Sequence, residues 1–417
     1  MKNKNFIMIF CFIGAFLGFL TLGPYFTWGN HFREIVVIVN VGLFIILSAK
    51  FKIIERNNIK YALMAMVLIF LFSFRFDQYY NIIFNGLFYI ASLVPFVLVT
   101  NELKLKIYDY FIKIIAISYI PAIMVAILLL IGIDLPWEQL ASDSTSKSYY
   151  RQYLGLANYA VYYDISEQYI FSYGGSIDRI CAMFNEPGVV GTVSALILIS
   201  KKMKLKSRYE KIILIAGVLS LSFAFYFLVV VYLMLRSRRN FIVIAFSSII
   251  IFSITPKDSF LYNRLLYRFE INSEGLAGNN RVNNGFEYLY KDFHENGSIK
   301  DIMLGIGESE FYIKSANYNS SALSWKTFIV IDGYILFCLH SLFFIYMGLR
   351  GGNKNTILFI IIYFGSLYQR PFDFSLGYWL IFFAGILYSL NKEKSTVDNK
   401  SLSRGNLNEE KSIICNQ

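Results

Sequence analysis

The sequence predicts an all-α polytopic membrane protein. Hydrophobic residues make up 56% of the 417 residues and charged residues only 16%, whereas soluble domains carry roughly 25% charged residues. A helix needs about 20 apolar residues to cross the hydrocarbon core of a bilayer. The chain therefore has room for about 12 transmembrane elements and two long loops, but not for a soluble catalytic domain of ordinary size.

The distribution of charge indicates that the net charge of +11 reflects membrane topology rather than a nucleic-acid partner. Lys and Arg are concentrated in the N-terminus and in short loops, and the most basic loop is 201–211. Loops of this kind remain in the cytoplasm. The two long loops are near neutral or acidic, so we expect them to lie on the opposite side.

Five predicted spans fall in residues 1–131 and precede the first long loop, 132–186. The first of them, FIMIFCFIGAFLGFL, follows two lysines and is not followed by a small-residue cleavage site, which predicts a span rather than a signal peptide. The predicted spans are 1–22, 35–49, 61–74, 80–99 and 114–131.

The segment 187–254 contains spans at 187–200 and 240–254 and, between them, an apolar run with basic residues at both ends. Both ends of this run, 212–235, therefore favour the cytoplasm. If this run were a single span, every later loop would lie on the side of the membrane opposite to the one that its charge indicates. A short helical hairpin that bends near residues 220–222 keeps each loop on the side that its charge prefers.

The second long loop, 255–326, is predicted to contain an amphipathic helix. In NNRVNNGFEYLYKDFHE the apolar side chains recur at helical spacing after asparagines that suit a helix start. A glycine-rich turn, LGIGESEF, follows. Residues 327–390 contain three predicted spans, at 328–349, 356–367 and 376–390. The polar tail that follows, 391–417, is predicted to be disordered in the cytoplasm.

The segment 178–200 combines a polar loop that carries Arg179 with the start of an apolar helix. Pro187 suits the first turn of a helix, since its missing N–H would have no partner there. Asn185 and Glu186 then lie at the cap, where unpaired backbone N–H groups favour negative charge. The same residues also fit a purely structural helix start with an arginine anchored at the membrane interface, so a functional site and a structural role both remain open.

Arg179 and Arg281 are the leading candidates for binding phosphate. A planar guanidinium group binds phosphate or diphosphate through two parallel hydrogen bonds, whereas lysine binds only as a point charge. Arg281 follows Asn280 and falls in the first turn of the predicted amphipathic helix. Each arginine alone also fits a solvated or snorkelling side chain, but both lie in external loops beside helix starts.

Other polar residues of the predicted external side are further candidates. Asp332 falls inside a predicted span, where a charge is costly and indicates an interface position or a site. Arg370 begins the external turn RPFD, which could face the same cavity. His294 is either a proton acceptor or a surface residue, and Glu308 and Glu310 lie in the glycine-rich turn.

Signatures of ordinary enzymes are absent from the sequence. It contains no phosphate loop, dinucleotide glycine motif, nucleophile elbow or zinc-protease helix. The four cysteines are scattered without metal-ligand spacing. We therefore expect no bound metal, no cofactor and no disulfide framework.

The layout and three motifs together resemble the O-antigen and capsular polysaccharide polymerases of the Wzy type, which are related to O-antigen ligases. The motifs are R-x(3)-F-N-E-P-G at 179–188, Leu-Ser-x-Ser at 219–222, and an N-N-R segment that is followed by L-G-I-G. The resemblance covers most of the chain in layout but only short segments in motif.

The resemblance implies a metal-independent, inverting glycosyltransferase with a GT-C-like fold and no cofactor. Such an enzyme transfers the growing glycan from undecaprenyl diphosphate to the next undecaprenyl-diphosphate-linked repeat unit in O-antigen or capsule biosynthesis. It would be a multi-pass protein of the bacterial inner membrane with its active site facing the periplasm. The implied partners are the lipid-linked oligosaccharide, the bilayer and a protein that regulates chain length, with no nucleic acid.

The resemblance also implies roles for individual residues. Arg179 and Arg281 would hold the diphosphate and stabilise the charge that develops on it. A base must accept the proton of the acceptor hydroxyl, and Glu186 is the candidate. The candidate substrate-binding residues are Asn185, Asn280, Arg370 and Asp332.

Two departures from the related ligases favour a polymerase. The region NSSALSWKTFIV lacks the histidine that ligases carry ahead of the next span, and Phe223-Ala224 replaces an arginine after the second hairpin serine. An O-antigen ligase nevertheless remains an alternative. A flippase for lipid-linked oligosaccharides would ordinarily lack two long external loops, and a transporter or a nonenzymatic membrane scaffold also stays open.

Overall fold

The computed structural model describes residues 2–27, 31–75, 79–139, 150–161, 178–257, 259, 262, 266–267, 270–272, 275–276, 283–320, 324–349, 352–369 and 374–390. The α-helices of these residues are α1 (Lys2–Leu20), α2 (Phe32–Lys50), α3 (Ile59–Ser73), α4 (Tyr79–Leu98), α5 (Asn101–Leu130), α6 (Pro187–Ser200), α7 (Arg208–Leu219), α8 (Phe223–Arg236), α9 (Arg238–Ile254), α10 (Asn284–Glu295), α11 (Ile299–Leu304), α12 (Glu308–Asn317), α13 (Trp325–Leu349), α14 (Lys354–Gln369) and α15 (Leu376–Leu390).

The long loops also contain short antiparallel strands, which the prediction of an all-α protein did not include. The strands are β1 (Trp137–Gln139), β2 (Tyr150–Tyr153), β3 (Ala157–Val161), β4 (Asp178–Ala182), β5 (Ile271–Asn272) and β6 (Gly275–Leu276). The first four form one sheet in the order β1-β2-β3-β4, and β5 pairs with β6. Strands of three to five residues are too short to show a clear period-two pattern in the sequence.

The chain has the character of a helical membrane protein. In the described part, three helices are long and apolar enough to cross a membrane by length and composition: α2, α5 and α13. Shorter apolar helices include α1, α4, α6, α8, α14 and α15. The number of spans and the GT-C-like fold remain predictions.

Helix α5 begins at Asn101, well before the predicted span start at 114. The basic residues that suggested a loop lie instead on a helix, because Leu, Lys, Glu and Ile all tolerate helical conformation well. This part of α5 is tied to its neighbours through Asp109. Its carboxylate accepts hydrogen bonds from Lys201 at 2.9 Å and from the Tyr388 hydroxyl at 2.8 Å.

Helices α6 and α15 form the centre of the bundle. Every residue of α6 is buried, and so are most residues of α15. A helix that is apolar on all faces has to be surrounded by other elements. Accordingly, α6 contacts α7, α8, α14, α15 and strand β4, and α15 also contacts α1 and α5.

The apolar run after α6 divides into α7 and α8, with the bend at 220–222 where the sequence placed it. A Cβ atom at Gly191, in the first half of α6, would overlap Ser222, so the bend lies against that half. At the opposite end, Arg236 donates to the Lys202 carbonyl just beyond α6, at 3.4 Å. The chain therefore runs along α6 and returns, as a hairpin does.

The amphipathic helix predicted in the second long loop is α10. Asn283 is its N-cap, and its side-chain oxygen accepts a hydrogen bond from the Phe286 amide at 2.9 Å. The apolar face is buried through Phe286, Leu289 and Phe293. The described helix begins at Asn284, and Arg281, which is predicted to lie in its first turn, lies outside the described residues.

Candidate functional site

The described candidate residues lie at one end of the helical bundle. Three contacts at this end link the C-terminal ends of α1 and α3 with the starts of α6 and α15: the Tyr25 amide donates to the Met183 carbonyl (2.8 Å), the Ser375 hydroxyl donates to the Thr21 carbonyl (3.0 Å), and the ring centroids of Phe72 and Phe374 lie 4.0 Å apart. Two polar clusters occur here, which we call the β4 cluster (Arg179, Asn185, Glu186, Ser220, Ser222) and the α13 cluster (Arg75, Glu308, Asp332).

Arg179 is the centre of the β4 cluster. It lies on β4, opposite Ala160 of β3, and its side chain is half-buried. Its Nε donates a hydrogen bond of 3.1 Å to the carbonyl of Ser220, in the bend between α7 and α8. This bond fixes the plane of the guanidinium group against the hairpin.

A tight turn connects β4 to α6 and places the predicted acidic residue. The Phe184 amide donates to the Cys181 carbonyl at 2.9 Å. Glu186 is the N-cap of α6 and Pro187 its first residue, as the sequence indicated. The Glu186 side chain makes no capping hydrogen bond, so its carboxylate is not part of the helix cap. Asn185 is half-buried beside it.

The β4 cluster joins two segments that are separate in the sequence. The segment R-x(3)-F-N-E-P-G supplies Arg179 and the start of α6, and Leu-Ser-x-Ser supplies the bend that Arg179 contacts. A guanidinium group beside a helix N-terminus is a favourable place for an anion, because its N–H groups and the helix dipole both attract negative charge. The β4 cluster is therefore suited chemically to a phosphate or diphosphate.

Asp332 lies at a break in α13 and belongs to the second cluster. The following residue, Gly333, has φ +78° and ψ 168°, which are not helical values. The Asp332 side chain is 1% exposed and its Oδ2 lies 3.7 Å from Nη1 of Arg75. Neither carboxylate oxygen has a hydrogen-bond partner among the described residues, and 3.7 Å is too long for such a bond. A buried carboxylate in this state is costly, which favours a role at a site over a purely structural one.

The rest of the α13 cluster surrounds Arg75. Its guanidinium carbon lies 4.5 Å from the ring centroid of Phe72, and its carbonyl accepts a hydrogen bond of 2.9 Å from the Glu308 amide. The Tyr312 hydroxyl donates to the Glu308 carboxylate at 3.3 Å. Burial and this carboxylate raise the pKa of Tyr312, so it is a neutral donor at physiological pH. Glu310 forms an ion pair with Lys314 of the same helix, at 3.2 Å.

The glycine-rich turn contacts the break in α13 directly. The amides of Ile306 and Gly307 donate to the carbonyls of Val330 and Ile331, each at 3.0 Å. A break in a helix leaves carbonyl groups without partners in the next turn. The loop satisfies two of them and holds the segment that carries Asp332 in place.

His294 connects α10 to the second half of α13. Its Nδ1 lies 2.8 Å from the Tyr290 carbonyl and its Nε2 lies 2.9 Å from the Tyr334 hydroxyl. A carbonyl only accepts, so Nδ1 carries a proton, and Nε2 forms the second hydrogen bond with the Tyr334 hydroxyl. His294 thus links two helices, and is neither a free surface residue nor an open base.

The structure brings some of the predicted site residues together and separates others. Arg179 contacts the bend of the hairpin, and Asn185 and Glu186 form the turn that leads from the strand of Arg179 into α6, whereas Asp332 belongs to the α13 cluster. The other predicted site residues lie outside the described part of the chain: Arg281, Asn280 and Arg370.

Arg75 is a charged residue of the site that the sequence did not single out. In the sequence it resembles an ordinary flanking residue at the end of a span. Its partner Asp332 lies far along the chain, and only the folded structure brings them together. A usable signal was the charge of Asp332 inside a predicted span, because a charge there needs a partner.

Comparisons with known proteins leave the family open. A scan against protein-family models, a search of curated proteins and a search of solved structures each found no match. The function is therefore argued from the two clusters and from the resemblance of the motifs.

Proposed function

We propose that the protein polymerises lipid-linked polysaccharide repeat units. It transfers the growing glycan from undecaprenyl diphosphate to the next undecaprenyl-diphosphate-linked unit, in the synthesis of O-antigen or capsule. The observation that carries the proposal is the hydrogen bond from Arg179 to Ser220. It joins the two segments of the motif resemblance into one half-buried cluster with a cation at a helix start.

In the proposed reaction, the acceptor hydroxyl attacks the anomeric carbon of the growing glycan from the face opposite the diphosphate. The bond from that carbon to the diphosphate oxygen breaks, and the configuration inverts. Arg179 binds the departing diphosphate and stabilises its increasing negative charge. Arg281 is proposed to bind it from the second long loop. Glu186, at the start of α6, accepts the hydroxyl proton.

The proposed place of the reaction is the periplasmic face of the bacterial inner membrane, in a GT-C-like arrangement of about 12 elements. The basic flanks of the hairpin and the charge of the long loops support this orientation. The proposed partners are the lipid-linked oligosaccharide, the surrounding bilayer and a regulator of chain length.

Reporter fusions test the proposed orientation. Fusions after Lys211 and Arg239 are expected to report the cytoplasm, and a fusion after Gly285 is expected to report the periplasm. The reason is that the hairpin returns the chain to the side on which it began. A fusion after Ser200 provides an internal reference, because it precedes the most basic loop. A periplasmic signal after Arg239 contradicts the hairpin topology.

Glycan from a deletion strain tests the proposed activity. If the strain makes lipopolysaccharide, loss of the protein is expected to leave single repeat units on the lipid A core, because a ligase still transfers an unpolymerised unit. Gel electrophoresis of extracted lipopolysaccharide measures this, with the complemented strain as control. A core that carries no repeat unit at all contradicts the polymerase and favours a flippase. Long chains of normal length contradict both.

A further inference from the structure

An open apolar groove runs between α3 and α13. It has a volume of about 580 Å³. Leu63, Val67 and Leu71 line it from α3, and Leu339, Leu342 and Tyr346 line it from α13. Leu339, Leu342 and Tyr346 are spaced by three and four residues, so their side chains lie on one face of α13.

The groove is open to the surroundings of the bundle and closed at its floor. Val67 and Leu342 are each 60% exposed, whereas Leu68 and Phe343 at the floor are each 4% exposed. The open side therefore faces the hydrocarbon of the bilayer once the protein is in a membrane. A hydrocarbon chain can enter it sideways without crossing a polar surface.

One end of the groove leads to the α13 cluster. Arg75 follows Leu71 at the end of α3, and Asp332 precedes Leu339 on α13 by two helical turns. Their ion pair, at 3.7 Å, shows that the two helices meet there. The rings of Tyr61 and Tyr346, 6.4 Å apart, mark the opposite end. From Tyr346 to Tyr334, the first residue after the break, the distance along the helix is about 18 Å.

Charge at this end distinguishes the groove from ordinary lipid-facing surface. Arg75 lies 3.7 Å from Asp332, and its carbonyl accepts a hydrogen bond from the Glu308 amide. Arg33 lies 4.7 Å from the ring of Phe88, which contacts Tyr89, and Tyr89 in turn contacts the ring of Phe72 beneath Arg75. Lipid-facing helix surfaces do not need charged side chains, which are costly in a membrane. The ion pair with Asp332 therefore places the Arg75 cation at this end of the groove, where the anionic headgroup of a lipid in the groove would lie.

We propose that this groove binds the second lipid substrate: the polyprenyl tail of the acceptor repeat unit lies between α3 and α13, and its diphosphate binds Arg75, assisted by Arg33. The assignment of this lipid as the acceptor depends on the proposed function. A polymerase needs two lipid-linked substrates at the same membrane face. The β4 cluster then serves the donor diphosphate, and the α13 cluster serves the acceptor.

Photolabelling of the purified full-length protein tests the groove. The probe is undecaprenyl diphosphate with a diazirine in its tail, and the labelled peptides are identified by mass spectrometry. We expect adducts within 63–71 and 339–346. Leu342→Trp fills the groove from an exposed position and is expected to lower this labelling at least tenfold. Ile249→Trp is the matched control, because Ile249 is an exposed residue of α9 outside the groove.

Variants of the charged end test the headgroup. Arg75→Gln is expected to lower the labelling at least tenfold, because it removes the cation that faces the diphosphate. This variant leaves Asp332 buried without its cation and is at risk of misfolding. The double variant Arg75→Gln with Asp332→Asn removes both charges, and its elution as a single folded species on gel filtration makes its labelling interpretable. Labelling at the wild-type level in the folded double variant overturns the headgroup assignment.

Competition separates the proposed ligand from bulk lipid. Excess unlabelled undecaprenyl diphosphate is expected to abolish labelling, and phosphatidylglycerol at the same concentration is expected to leave it unchanged. Equal competition by phosphatidylglycerol, or equal labelling of the Leu342→Trp and Ile249→Trp variants, overturns the proposal. Labelling does not require the enzyme to turn over, so the two proposals can fail separately. Glycan chains of normal length in a deletion strain refute the polymerase activity alone. Unchanged labelling of the Leu342→Trp variant refutes the lipid-binding groove alone.

Discussion

Replacing Arg179 with lysine is expected to eliminate long-chain glycan while the amount of protein in the membrane stays normal. Lysine retains the positive charge but loses the planar fork and the Nε–H group that donates to Ser220. Loss of one preorganised charge-assisted contact to a developing anion costs about 3 to 4 kcal/mol of transition-state stabilisation, or roughly two to three decades in rate. Arg179→Ala is expected to show the same defect. Gel electrophoresis of extracted glycan and immunoblotting of membranes measure the two quantities.

Arg151→Lys is the matched control for this experiment. Arg151 lies on β2 of the same sheet and is also half-buried, but its guanidinium carbon lies over the ring of Trp137 at 4.6 Å. We expect this variant to polymerise normally. Wild-type chain length in Arg179→Lys would show that Arg179 anchors the sheet to the hairpin and binds no substrate. Arg281→Lys is expected to reproduce the defect of Arg179→Lys.

The course of the helical bundle could be predicted because its signals are local. Pro187 marks the start of α6, and the Asn283 cap with its apolar repeat marks α10. Helix caps and periodicity involve residues within a few turns of one another, so a single sequence contains them. The bend at 220–222 was predicted from charge on both sides of it, which is also a property of the sequence alone.

The α13 cluster could not be predicted in the same way. Its formation depends on the break at Gly333 and on a contact with the end of α3. Nothing in the sequence around Arg75 distinguishes it from other arginines that flank spans. The short strands of the first long loop escaped prediction for a similar reason, since β3 and β4 are stabilised by pairing across a loop rather than by local propensity.

The charged residues of the two clusters are held in place by different parts of the structure. Arg179 is held by a backbone carbonyl of the hairpin, so its position follows the packing of α7 and α8 on α6. Arg75 and Asp332 depend on each other and on the loop that covers the break in α13. Changes in the loop 305–307 should therefore affect the α13 cluster first and leave the β4 cluster intact.

Replacing Gly305 with alanine is expected to destabilise the protein strongly. Gly305 has φ +81° and ψ 165°, a region that only glycine adopts readily, at a cost of about 1 to 3 kcal/mol for other residues. A Cβ atom there would also overlap the Ile331 carbonyl, within the segment that carries Asp332. The loop and α13 would have to separate, so we expect a total loss of about 3 kcal/mol or more. Gly132→Ala is the matched control, because Gly132 has φ +83° and no atom near the added Cβ within 4 Å. Thermal unfolding of both purified variants in detergent measures the difference, and equal midpoints would show that contact between the loop and the broken helix contributes nothing to stability.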